Sequence, residues 1–191
     1  MNFNLEYPIL DLGGDELQRR VLTSSDWENV FSQTQPFALN LAHSSVSDDD
    51  LACLKEQTEL RAIDLESTNI TPVALEHLSK YTWLESLCLY YLIQQVSNRE
   101  LQVLSNLPKL RFLNLGSCVK VTTKGLLHLA KLSDLEYLSI SDCGGITDTV
   151  FVAIAKLKKL QVLDAGMSFG RHNDCTDKGI STLANLSLFA N

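Results

Sequence analysis

Apolar residues recur along the chain in two alternating rhythms. In the first, two of them flank a single variable position: Leu39 and Leu41, Ile63 and Leu65, Leu87 and Leu89, Leu113 and Leu115, Leu138 and Ile140, and Leu163 and Ala165. Alternation of this kind marks a strand with one face in a core. From the second copy onward a further leucine stands three residues ahead, at Leu60, Leu84, Leu110, Leu135 and Leu160. In the second rhythm a Ser or Thr precedes apolar residues at helical spacing. Ser47 leads to Leu51 and Leu54, Thr71 to Leu75 and Leu78, and Ser97 to Leu101 and Leu104. Thr122 leads to Leu126 and Leu129, Thr147 to Phe151 and Ile154, and Thr176 to Ile180 and Leu183. The strand leucines fall at 39, 63, 87, 113, 138 and 163, in steps of 24, 24, 26, 25 and 25. Steps of this length fit one strand and one helix per repeat of a solenoid.

The pattern predicts an α/β right-handed solenoid, a horseshoe arc of six repeats over residues 36–191. Parallel strands line the concave face and helices the convex one. Leu113 and Leu115 point inward; Phe112, Asn114 and Gly116 point outward. The recurring Ser or Thr stands where a hydroxyl caps a helix, and Asp48, Asp148 and Asp177, directly after it, complement the helix dipole. Residues 1–35 are expected to form an N-terminal helical cap, with Leu17, Val21, Trp27, Val30 and Phe31 on one or two short helices starting near Asp15 and Ser25. The last copy stops before another strand. Either Leu186, Leu188 and Phe189 form a minimal C-terminal cap, or that end is covered by a partner, a second copy or further chain.

The phrases LRFLNLGSCVKVTTKGL and LEYLSISDCGGITDTVF resemble the cysteine-containing class of leucine-rich repeats, whose pattern is LxxLxLxxCxxITDxGL. The resemblance extends over roughly residues 36–186 and weakens in the earlier copies. It implies that Cys118 and Cys143 cap the inside of the turn after the strand. Ser44 or His43, Thr68 or Asn69, and Ile93 lie near that place in the first three copies. The class includes F-box substrate receptors of ubiquitin ligases, and similar repeats occur in bacterial effectors delivered into host cells. The segment Gly14 to Leu22 resembles the opening helix of an F-box, but too little chain follows to complete one.

Six strands make a sheet roughly 24 Å across, enough for a peptide or a small domain. Tyr90, Phe112 and Tyr137, on three adjacent strands, are expected to form an exposed aromatic patch of the kind that anchors interfaces. Asp64, Glu66, Cys88, Asn114, Ser139 and Asp164 share that face, and the acids favour a partner carrying Lys or Arg. An insertion after the sixth strand, residues 166–174, brings Phe169 and Arg171 to its edge. The implied function is non-catalytic binding of a protein partner. The alternative is an F-box-like substrate adaptor of a ubiquitin ligase, or a bacterial effector.

A net charge of −7 disfavours nucleic acid, and no apolar run is long enough for a bilayer span. Five cysteines without a secretory signal point to free thiols and a cytoplasmic setting, in a host cell if the protein is bacterial. His172 and Cys175 lack a second ligand pair for zinc, no glycine loop for phosphate is present, and no histidine sits on a strand position facing Cys88. No metal, cofactor or catalytic group is expected, and the oligomeric state is left open.

Overall fold

Seven parallel strands stand side by side in chain order in the computed structural model, which describes residues 7–166 and 174–183. They are β1 (Ile9–Asp11), β2 (Phe37–Asn40), β3 (Leu60–Asp64), β4 (Ser86–Cys88), β5 (Phe112–Asn114), β6 (Tyr137–Ser139) and β7 (Val162–Asp164). Short helices alternate with them: α1 (Ser24–Phe31), α2 (Asp48–Cys53), α3 (Pro72–Leu78), α4 (Asn98–Leu104), α5 (Thr123–Leu126), α6 (Thr149–Ile154) and α7 (Asp177–Ser181). The register places Leu10, Leu39, Ile63, Leu87, Leu113, Leu138 and Leu163 directly opposite one another across the sheet. Leu39 to Leu138 of this column have no exposed surface. They join the helix residues Leu51, Leu75, Leu101, Leu126 and Phe151, and Leu183 just after α7, in one continuous core. Each repeat buries its apolar side only against its neighbours, which is why the array is extended rather than layered.

Six strands were expected, and the added one is β1. Residues before the first repeat supply a strand as well as a helix, and that strand prolongs the sheet by one rung. Val30 of α1 is fully buried and Trp27 packs against the core, whereas Leu17 and Val21 are 99% and 75% exposed. No helix starts near Asp15. Its carboxylate accepts from the amides of Leu17 and Gln18 and closes a turn instead. Gln57 ties α1 to the array. Its Nε2 donates to the carbonyls of Val30 (2.7 Å) and Gln33 (3.2 Å) at the helix C-terminus, where carbonyls lack helical partners.

After each of β2 to β6 the chain turns through a residue with positive φ: His43, Ser67, Tyr91, Ser117 and Asp142. The next residue points inward. There Cys118 and Cys143 donate their thiols to the carbonyls of Leu89 (3.3 Å) and Leu115 (3.2 Å) in the preceding repeat. In the first two copies Ser44 and Thr68 fill the place and bond carbonyls of their own turns, those of Leu41 and Leu65. Leu92 occupies it in the third, not Ile93, and makes the position purely apolar.

The helix starts carry a second set of links between repeats. Ser47 and Ser97 form reciprocal capping boxes with Asp50 and Glu100. Thr71 also caps its own helix, while Thr122 and Thr176 make no side-chain cap bond and Asp148 replaces Thr147 as N-cap. Instead, residues just past one helix start reach the next repeat. Asp48 accepts from the amide and hydroxyl of Thr71, Asn98 from those of Thr122, and Asp148 from those of Thr176. Gly125 and Gly179 make room for this, since a Cβ there would lie 2.4 Å from Asn98 Oδ1 and 2.2 Å from Asp148 Oδ1.

Candidate functional site

Alternation along each strand sends three positions away from the core and so builds the open face. On its lower row stand Ala38, Ala62, Ser86, Phe112, Tyr137 and Val162, paired in register. The residues grow from methyl to ring as far as Tyr137 and fall back to Val162, and Ala38, Ala62 and Ser86, expected to face outward, have no exposed surface. Phe112 and Tyr137 stack with their ring centroids 4.2 Å apart and planes 8° from parallel, each ring partly exposed. Tyr90 does not join them. Its ring lies over Gly116, where a Cβ would approach to 2.7 Å, and contacts Tyr91 at 6.1 Å. The expected three-ring patch is therefore a stacked pair with a separate tyrosine beside it.

The middle row is largely consumed by internal bonds. Asn40, Asp64, Asn114 and Asp164 each accept from the amide two residues on, which pins the strand end. Ser139 donates to Asp164 at 2.9 Å. Exposure on this row was overestimated: Asp64 and Ser139 are 2% exposed and Cys88 has no exposed surface. Burial, together with the Asp64 carboxylate, holds the Cys88 thiol pKa well above its ordinary range and disfavours the thiolate that nucleophilic chemistry needs. Burial likewise raises the Asp64 pKa, against the opposing hydrogen bonds from the Glu66 amide and the Cys88 thiol. For Glu66 burial acts with the repulsion of Asp64, and for Tyr137 with that of Asp164.

Among the described residues, Asp64, Glu66 and Cys88 form the one group whose donor atoms could share a cation, within 4.8 Å of one another. The hydrogen bond from the Cys88 thiol accounts for its closeness to the Asp64 carboxylate. Glu66 also faces the His43 imidazole at 3.6 Å.

A charged ladder that sequence reading missed borders the lower row. Arg61, Glu85, Arg111 and Glu136 each follow the leucine that opens a strand phrase, so the repeat stacks them with alternating sign. Arg61 lies 3.8 Å from Glu85, and Arg111 lies 3.6 Å from Glu85 while gripping Glu136 through two bonds of 2.9 and 3.0 Å. Tyr7 donates to Glu85 at 3.3 Å. The signal was present as opposite charges one repeat apart. Phe169, Arg171 and His172 lie outside the described residues.

Comparison with known proteins adds the fold. No protein family matches the chain, and no curated protein does. Among solved structures 115 chains match. One is internalin C2 of Listeria monocytogenes, with a TM-score of 0.57 and 24% identity over 79% of this chain and 67% of the internalin. Together with seven parallel strands in chain order and a helix after each turn, that likeness shows that this chain has the fold of a leucine-rich repeat solenoid.

Proposed function

We propose that this chain is a non-catalytic binding module that holds a protein partner on its strand face. The stacked pair Phe112–Tyr137 carries the reading, because two part-exposed rings at neighbouring strands are the large, rigid surface around which interface energy concentrates. Tyr90 extends the apolar area, while Asn114, Asp164 and Glu66 supply a polar, acidic margin that suits a basic partner. Phe169 and Arg171, outside the described residues, are included in this reading as partner-binding residues. The thiol-to-carbonyl bonds of Cys118 and Cys143 support membership of the cysteine-containing repeat class. Five free cysteines favour a reducing, cytoplasmic setting. Residues 1–35 act as the cap of the array: β1 and α1 direct apolar side chains onto the first repeat, which leaves less of that segment for recruiting a ligase as an adaptor would.

Replacing Tyr90, Phe112 and Tyr137 together by Ala tests the proposal. Proteins captured from lysate by the wild type and identified by mass spectrometry are expected to be lost by the triple variant. The unfolding midpoint should fall by less than about 5 °C, the scale for part-exposed positions outside the core in a chain of this size. Partners retained by the folded triple variant would place the binding surface elsewhere. Capture of ligase subunits through residues 1–35 would instead favour the adaptor.

A further inference from the structure

A cavity of about 530 Å³ opens beside the strand face, where the chain leaves β2, β3 and β4. Two kinds of wall face each other across it. On one side the turn before α1 brings Asp15, Glu16 and Arg19; on the other stand Tyr90 and Tyr91, with Glu66 among the lining residues. Tyr91 owes its position to its backbone. A φ of 61° at the turn projects the ring outward, 52% exposed, and the Tyr90 ring tilts against it at 36°. Non-glycine residues adopt that conformation reluctantly, so the turn holds an aromatic ring in the open at some cost.

The charges in the cavity are unevenly matched. Among the described residues Glu16 makes no ion pair, and Glu66 pairs only with the His43 imidazole, at 3.6 Å. Arg19 makes none either, and its guanidinium is turned to the Ser44 carbonyl at 3.4 Å. Carboxylates and two tyrosine rings around one space form the environment that favours an alkylammonium or guanidinium group, through charge attraction and cation–π contact.

We propose that this cavity receives a lysine or arginine side chain of a basic peptide segment, with Glu66 and Glu16 as counter-charges and Tyr90 and Tyr91 as the aromatic wall. The proposal rests on the reading of the adjoining strand face as a binding surface and names the chemistry its partner presents at that edge. It is tested without knowledge of the partner. The isotope-labelled protein is titrated, with its amide resonances followed by NMR, with the capped pentapeptide Gly-Ser-Lys-Ser-Gly and with counterparts carrying norleucine or glutamate in place of lysine. The lysine peptide is expected to produce saturable shifts at Tyr91, Gln94 and Gln95, and Glu66→Gln should weaken it at least fivefold. Glu16→Gln, at an exposed residue, should weaken it in the same direction if Glu66→Gln disturbs the fold.

Absence of saturable shifts, an equal response to the norleucine peptide, or preferential binding of the glutamate peptide through Arg19 and His43 would each overturn the proposal. The two readings also fail separately. A partner that depends on Phe112 and Tyr137, combined with no lysine binding here, removes only the cavity. Lysine binding here, combined with a partner indifferent to those rings, removes only the strand-face reading.

Discussion

Two rows of residues run down the same strands, one facing in and one facing out, and they obey different rules. Inward, Leu39, Ile63, Leu87, Leu113 and Leu138 are aliphatic throughout and fully buried. Outward, Ala38, Ala62, Ser86, Phe112, Tyr137 and Val162 share no common chemistry. The inward row must repeat because each coil buries its apolar side against an identical neighbour. No such demand acts on the outward row, so its departures from uniformity are where recognition can be written. The largest test of that contrast is Leu113→Asp, which puts an unpaired carboxylate into a closed core. Loss of cooperative unfolding and of far-ultraviolet circular dichroism is expected, since the cost of several kcal/mol approaches the whole stability of a domain. A folded Leu113→Asp protein would mean that the coils do not depend on one another.

A similar contrast holds three residues before the leucine that opens each strand phrase from the second copy onward. Leu107, Leu132 and Leu157 fill that place in the later repeats, but the first two carry Gln57 and Tyr81. Both are buried and both reach the preceding unit: Gln57 bonds the end of α1, and the Tyr81 hydroxyl donates to the Leu51 carbonyl. Burial pushes the Tyr81 hydroxyl pKa up to about 12, which keeps it a donor at neutral pH. Gln57→Leu restores the repeat consensus yet should destabilise the protein by about 1–3 kcal/mol, because it removes the buried bonds to the Val30 and Gln33 carbonyls and leaves the Val30 carbonyl the longer bond from the Gln33 amide (3.3 Å). Hydrogen exchange should quicken in α1 and β1 and stay unchanged beyond β4. A gain in stability would show that the seating of α1 does not depend on this bond.

These cases explain what could be read in advance. Strand leucines, helix starts and the inward cysteines follow from period alone, and the structure places Cys118 and Cys143 against carbonyls of the preceding repeat. Strand β1 escaped notice because its alternation, Leu10-Asp11-Leu12, lies 29 residues before Leu39, outside the step of 24 to 26 that joins the other strands. Cys88 was expected in the open because alternation fixes direction, not depth, and its neighbours close over it. Bonds between repeats, such as Asn98 to Thr122, were invisible because they join residues 24 apart, and Thr122 already had a local explanation as a helix start.

Those links differ in one respect that can be measured. The Thr147 amide donates to the neutral hydroxyl of Thr123 at 2.8 Å, whereas the Thr176 amide donates to the carboxylate of Asp148 at 2.6 Å. Hydrogen bonds from the Thr176 hydroxyl and amide hold the Asp148 pKa below its ordinary value of 3.8. A depressed carboxyl pKa adds stability that is complete above the unfolded value and is lost as pH falls through the folded one. The joint between the fifth and sixth repeats should therefore weaken only in acid below pH 3.8, while the Thr123–Thr147 joint should not titrate. Because Asp148 is exposed, the effect on global stability is expected to be small, and the Thr176 amide resonance is the better reporter. Its shift should move with a midpoint below 3.8 in the wild type and lose that step in Asp148→Asn, with the Thr147 resonance lacking the step in both. A midpoint at or above 3.8 would mean that the ionised carboxylate gains nothing from Thr176.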